Sequence, residues 1–213
     1  MGNIAYSLVR VRTQVQTLSN GTQIKTRTES HEWRDAEGRQ RTEVWVERDG
    51  EMEVQNISIY DPVLHEYIAL YPRTQVASVN RMPPPQQYQW RPVDASFQKA
   101  MQLESQGTET SHIEFKNESL GIASIDGECV QGGRSTQTIP AGQIGNDAEI
   151  QVVSETWVSP RLEMPLKSIV DDPRTGHYVE EVTELHLEAP DPSMFQVPPG
   201  YQVFDLTREP AQP

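Results

Sequence analysis

The sequence predicts a mainly β protein built on one antiparallel sheet, and three observations predict it. Apolar and polar residues alternate along most of the chain. Turn signals recur at short intervals. Only one segment carries helical spacing. The alternation opens in residues 6–15 (YSLVRVRTQV) and is still plain in residues 150–158 (IQVVSETWV). Strand side chains point to the two faces in turn, so the pattern describes a sheet buried on one side and wet on the other.

The 213 residues suit one large all-β domain, a class that reaches roughly 200–250 residues without dividing. Hydrophobic residues make up only 35% of the chain, as a sheet with a broad solvent face would give. The net charge of −13 has the wrong sign for a phosphate backbone, which is held by Lys and Arg. Nucleic acid is therefore no expected partner, and anionic lipid surfaces are disfavoured on the same ground. Cys129 is the lone cysteine, so no intrachain disulfide forms. No apolar run reaches the ~18 residues of a transmembrane helix, and residues 1–4 lead into the first strand with no signal peptide.

Taken in order, Asn20-Gly21 is the clearest hairpin signal, read as a type I′ turn with positive φ at both residues. It joins strands at 6–17 and 22–33. The first is about 12 residues, or roughly 40 Å, a length typical of strongly twisted or curled sheets. Further strands are expected at 41–48, 54–60, 66–71 and 75–81, a meander of six with short loops. Residues 82–92 break the pattern, because Pro83, Pro84, Pro85 and Pro92 offer no ladder donor. Phe97, Ala100 and Met101 then recur at helical spacing, with Asp94 as N-cap and Gly107 as stop, which predicts one helix over 94–103. Strands resume at 111–117 and 121–125. They continue at 129–139, with Gly132-Gly133 as a bulge or kink, and at 149–158, 164–170, 177–187 and 201–206. One domain is expected over 6–206, with 207–213 frayed.

Catalytic motifs are absent. His31, His65, His112, His177 and His186 form no His-x₃-His pair, so neither metal nor cofactor is expected. There is no Gly-x-Ser-x-Gly elbow and no P-loop spacing. Asp171-Asp172 could pair as acid and base, but adjacent strand residues point apart, and residues 171–176 (DDPRTG) read as a hairpin loop. Cys129 reads as a half-buried strand residue.

Three stretches together carry a family resemblance. The first is RQRTEVW at 39–45 with ISIYDP at 57–62. The second is ESLG at 118–121 with IDG at 125–127 and TIPAGQIGN at 138–146. The third is ETWVSP at 155–160 with PDPSMFQVPPGY at 190–201. This series resembles a group of exported bacterial proteins of unknown function, common in acidobacteria. The group is similar in turn to the lipoprotein-carrier (LolA/LolB-like) superfamily and its RseB-like sensors. The resemblance implies a half-open β-barrel, strongly curved, with a helix across its concave face as a lid. It further implies an acyl-holding cavity and a periplasmic or exported location, the cytosol being the other compartment these residues allow. Residues 94–103 are the one lid candidate.

The aromatic residues supply the candidate binding positions. Trp33 shares a strand face with Gln23, Lys25, Arg27, Glu29 and His31, and Trp45 with Glu43 and Glu47, so both sit on faces that look wet; Trp157 shares one with Val153 and Glu155. Each reads either as cross-strand packing or as the lining of a ligand cavity. Trp90 either anchors the Pro-rich segment or caps a ligand. Phe97 and Met101 are the expected lid contacts. The expected function is a non-enzymatic envelope protein binding a lipid-like or acyl ligand through Trp45, Trp90, Phe97, Met101 and Trp157. The alternative is a protein-interaction or sensor module with a self-filled core, contacting another envelope protein.

Overall fold

The computed structural model describes residues 4–82 and 113–207. The strands are β1 (Tyr6–Thr17), β2 (Gln23–Arg34), β3 (Gln40–Arg48), β4 (Glu51–Asp61), β5 (Glu66–Tyr71) and β6 (Val76–Arg81). They continue as β7 (Glu114–Ile125), β8 (Glu128–Ile139), β9 (Ile150–Ser159), β10 (Met164–Asp172), β11 (Gly176–His186) and β12 (Gln202–Asp205). All join one 12-stranded sheet in the order β12-β6-β5-β4-β3-β2-β1-β11-β10-β9-β8-β7. Two meanders, β1 to β6 and β7 to β11, meet where β1 pairs antiparallel with β11. Only β12 is parallel, lying along β6.

The sheet is open, neither closed nor strongly curled, which corrects the expectation of a strongly curved half-barrel. Its apolar burial explains why. One cluster gathers Ile57, Ile59, Ile68, Leu70, Ala77 and Val79 around Phe195, with Trp33 packed against it. A second gathers Tyr6, Leu8, Val130, Leu162, Leu166 and Val182. Register places Trp33 opposite Ser7 and opposite Arg41, which pairs with Ile59, so the first cluster lies on the Ser7 face of β1. Tyr6 and Leu8 alternate onto the other face. A sheet that buries apolar side chains on both faces has no single greasy hollow to curl around.

The expected helix over 94–103 lies outside the described residues, as do Trp90, Phe97 and Met101. Among the described residues the one helical element is the 3₁₀ turn Pro192–Phe195. The Asp191 side chain caps it by accepting from the Ser193 N–H at 2.8 Å. Arg41 donates to the Met194 carbonyl at 2.9 Å, and the Arg39 guanidinium lies 5.2 Å from the centre of the Phe195 ring. These contacts hold Phe195 in the first cluster.

Four bulges interrupt the ladders, at Val9/Arg10, Val44/Trp45, Pro165/Lys167 and Ser119/Gly121. Each adds local twist. The last makes one strand of two expected ones, and it puts the irregularity opposite Gly132-Gly133 rather than on them. The hairpin after β1 also differs from the expectation. Gly21 has φ +83° while Asn20 stays at negative φ, and Leu18 and Thr22 close the loop. This is a three-residue loop ending in a left-handed glycine. Positive φ at both central residues is found instead at Asp49-Gly50 and Asp126-Gly127.

The β9–β10 turn is pinned by Glu128. It accepts from Ser159 Oγ at 2.8 Å and from Arg161, while Ser159 Oγ accepts the Leu162 N–H at 3.0 Å. The Arg161 hydrogen bonds hold the Glu128 carboxyl below its ordinary range, against the opposing effect of burial.

Trp157 lies directly across from Gly132, and a Cβ added there would sit 2.5 Å from the indole ring. At Gly133 the nearest atom would be 3.9 Å away. We expect Gly132→Ala to cost about 1–3 kcal/mol by overpacking, and Gly133→Ala under about 0.5 kcal/mol. Urea denaturation of the two variants side by side measures the difference.

Candidate functional site

The alternation of β2 places Glu29, His31 and Trp33 on one face, and register with β3 sets Trp45, Glu43 and Arg41 opposite them. The rings form a row. His31 stacks on Trp45 with centroids 5.3 Å apart and 28° between planes, and meets Trp33 at 6.1 Å and 48°. Charged side chains flank the row. Arg41 pairs with Glu43 at 2.6 Å, Arg27 pairs with Glu29, and His31 Nε2 lies 3.6 Å from Glu29. The bulge at Val44/Trp45 brings Val54 opposite Trp45. The indole Nε1 of Trp45 is buried and has no hydrogen-bond acceptor among the described residues.

At the Trp33 end the row opens on a cavity of about 470 Å³ lined by Ser7, Trp33, His186, Pro190 and Met194. Trp33, expected on a wet face, is partly buried because Met194 and the first cluster pack against it. Trp157 sits in the second cluster, its ring over Gly132, so the structure does not bring it beside Trp45.

The opposite face of the central strands is polar, which sequence reasoning missed. Arg10 pairs with Glu32 at 3.0 Å and Glu180 at 3.4 Å, and donates to the Pro165 carbonyl at 3.1 Å. Arg12 pairs with Glu180 at 2.6 Å, and Tyr178 donates to the same carboxylate at 2.8 Å. The signal was present in the sequence, since Arg10 and Arg12 continue the Tyr6–Leu8 face. Their acidic partners lie about 20 and 170 positions away, beyond any spacing argument.

Burial alone would raise the Glu180 pKa. Hydrogen bonds from Arg12 and Tyr178 and the charge of Arg10 outweigh it and hold the group below its ordinary value of 4.5. Tyr178 moves the other way, raised first by burial and then by Glu180.

Other polar groups are accounted for structurally. Asp172 accepts from the Arg174 backbone and guanidinium and closes the β10–β11 hairpin, but Asp171 and Asp172 end β10 in register with His177 and Gly176 rather than lying in the loop expected of them. Asp171 pairs with His177 at 2.6 Å on an exposed cross-strand position. Cys129 is exposed, not half-buried. No group of three or more His, Cys, Asp or Glu that could hold a metal occurs among the described residues. No helix among them is long and apolar enough to cross a membrane.

No protein-family model matches the chain, and no curated protein matches it. Solved structures do. An uncharacterised conserved protein from Thermus thermophilus is similar at 10% identity, over 92% of this chain and 90% of that one, with a TM-score of 0.44. MucB, in the Pseudomonas aeruginosa MucA/MucB complex, is similar at 15% identity over 90% of this chain, with a TM-score of 0.42; the match spans 55% of that chain. A LolA superfamily protein from Nitrosomonas europaea is similar at 10% identity, over 92% of this chain and 90% of that one, with a TM-score of 0.36.

The Glu180 cluster makes a pH prediction. A carboxyl with a lowered folded pKa contributes its full stability above its unfolded value, and loses it as pH falls through the folded value. Stability should therefore decline as pH drops below about 4.5. Glu180→Gln should cost about 2 kcal/mol at neutral pH and flatten that decline. Urea midpoints of both proteins across an acid pH series check both effects.

Proposed function

We propose that this chain is a non-enzymatic envelope protein that binds a lipid-like or acyl ligand along the Trp45–His31–Trp33 row. One observation supports the reading: two indoles joined by the His31 imidazole form a row that ends at an open cavity of about 470 Å³, lined by Trp33, Pro190 and Met194 together with Glu188 and Asp191. An acyl chain is long, narrow and flexible, and a strip ending in a cavity matches that shape. Apolar burial would supply most of the affinity, about 25 cal/mol per Å² removed from water. The buried Trp45 Nε1–H is a donor suited to an ester or carboxyl oxygen of such a ligand. The envelope location rests on the sequence resemblance to the lipoprotein-carrier superfamily.

The second reading is a protein-interaction module whose apolar clusters are filled from within. Phe195 favours it, since this ring already occupies the first cluster. An envelope protein would then be the partner.

Titration with a fluorescent fatty acid separates the two. The first reading expects saturable binding at micromolar probe, quenching of tryptophan emission, and about tenfold weaker binding in Trp45→Ala, as losing one stacked ring implies. Trp157→Phe should leave probe affinity unchanged. Absence of binding, or equal binding by Trp45→Ala, would discard the acyl-ligand reading.

A further inference from the structure

We propose that β7 is a self-docking edge, through which two copies of this chain join antiparallel about a two-fold axis at Asn117. β7 ends the sheet, and among the described residues its 12-residue length pairs only with β8. One side of its backbone ladder is therefore open among those residues. Natural edges are commonly short, twisted away or covered, because an open ladder recruits another strand. Phe115 and Ile122 on this strand are 64% and 74% exposed, high values for large apolar side chains. The bulge at Ser119/Gly121 leaves the first half of the strand, Glu114 to Ser119, as the regular stretch.

The charges of that stretch are self-complementary. Glu114, Lys116 and Glu118 alternate onto one face, and Lys116 and Glu118 already pair at 3.0 Å as exposed neighbours. With the two-fold at Asn117, Lys116 of each copy falls opposite Glu118 of the other, giving two cross-strand ion pairs and a closed square of four charges. Moving the axis to Lys116 sets lysine against lysine and Glu114 against Glu118. Moving it to Glu118 sets glutamate against glutamate. An axis at Phe115 also pairs unlike charges, Glu114 with Lys116, but its ladder runs only from Glu114 to Lys116 because β7 begins at Glu114. The axis at Asn117 is thus the one that keeps both matched charges and a regular ladder of five residues, Phe115 to Ser119. Each chain carries a net charge of −13, and that long-range repulsion opposes the association.

Sedimentation velocity on the full chain over a low-to-high micromolar series tests this. The parent should pass from monomer to dimer. Lys116→Glu and Glu118→Lys should each weaken the dimer by about tenfold or more, because each places like charges opposite one another. The double exchange Lys116→Glu/Glu118→Lys should dimerise like the parent. An equimolar mixture of the two single variants should form heterodimers, a result that a folding defect cannot produce. A parent that stays monomeric throughout, single variants that dimerise as well as the parent, or a mixture that does not recover association would each overturn the proposal.

Discussion

The pairing of β1 with β11 is the contact on which the rest of the molecule depends. It runs from Ser7 opposite His186 to Val15 opposite His177 and joins two meanders that would otherwise be separate sheets. Both faces of this seam are used. On one, Arg10 and Arg12 meet Glu32 and Glu180. On the other, Val9 and Val11 stand in register with His31 and Glu29, so the aromatic row is backed by the same strand. The Arg10 contact to the Pro165 carbonyl reaches across β11 to β10 and ties three strands together. A charged seam is a poor source of raw stability, because desolvation offsets much of the attraction. It is a good source of register, since sliding β1 by one residue would turn Arg10 and Arg12 onto the valine face.

Hydrophobic burial is divided accordingly. Tyr6 and Leu8 serve the second cluster from one face of β1, while Trp33, opposite Ser7, serves the first from the other. The residues between the clusters are only partly buried. The aromatic row occupies this transition, joined to the first cluster through Trp33.

Most strands were legible in the sequence because alternation is a local property. Tyr6–Thr17 and Glu66–Tyr71 match their expected bounds, and others differ by one to three residues at an end. What was not legible is nonlocal. Nothing near Tyr6 indicates that β11 lies beside it, and nothing near Val76 indicates a parallel β12. Trp33 and Trp45 were visible as aromatics on polar-looking faces, yet their meeting through His31 needs the β2–β3 register. The half-burial of Trp33 depends on Met194, over a hundred positions away. The Glu180 cluster was hidden for the same reason: strand charges read as solvent-facing unless their cross-sheet partners are known. The expected curl failed because burial on two faces cannot be told from burial on one by counting apolar positions.

The lateness of Phe195 in the chain has a consequence for biosynthesis. The six strands of the first meander emerge from the ribosome well before the residues that finish their apolar cluster. Until Phe195 and β12 arrive, that half of the nascent polypeptide shows an unfinished hydrophobic surface and a bare β6 margin. Folding of the first meander is therefore completed by a closing event in which the later Phe195 and β12 seal what the earlier strands laid down.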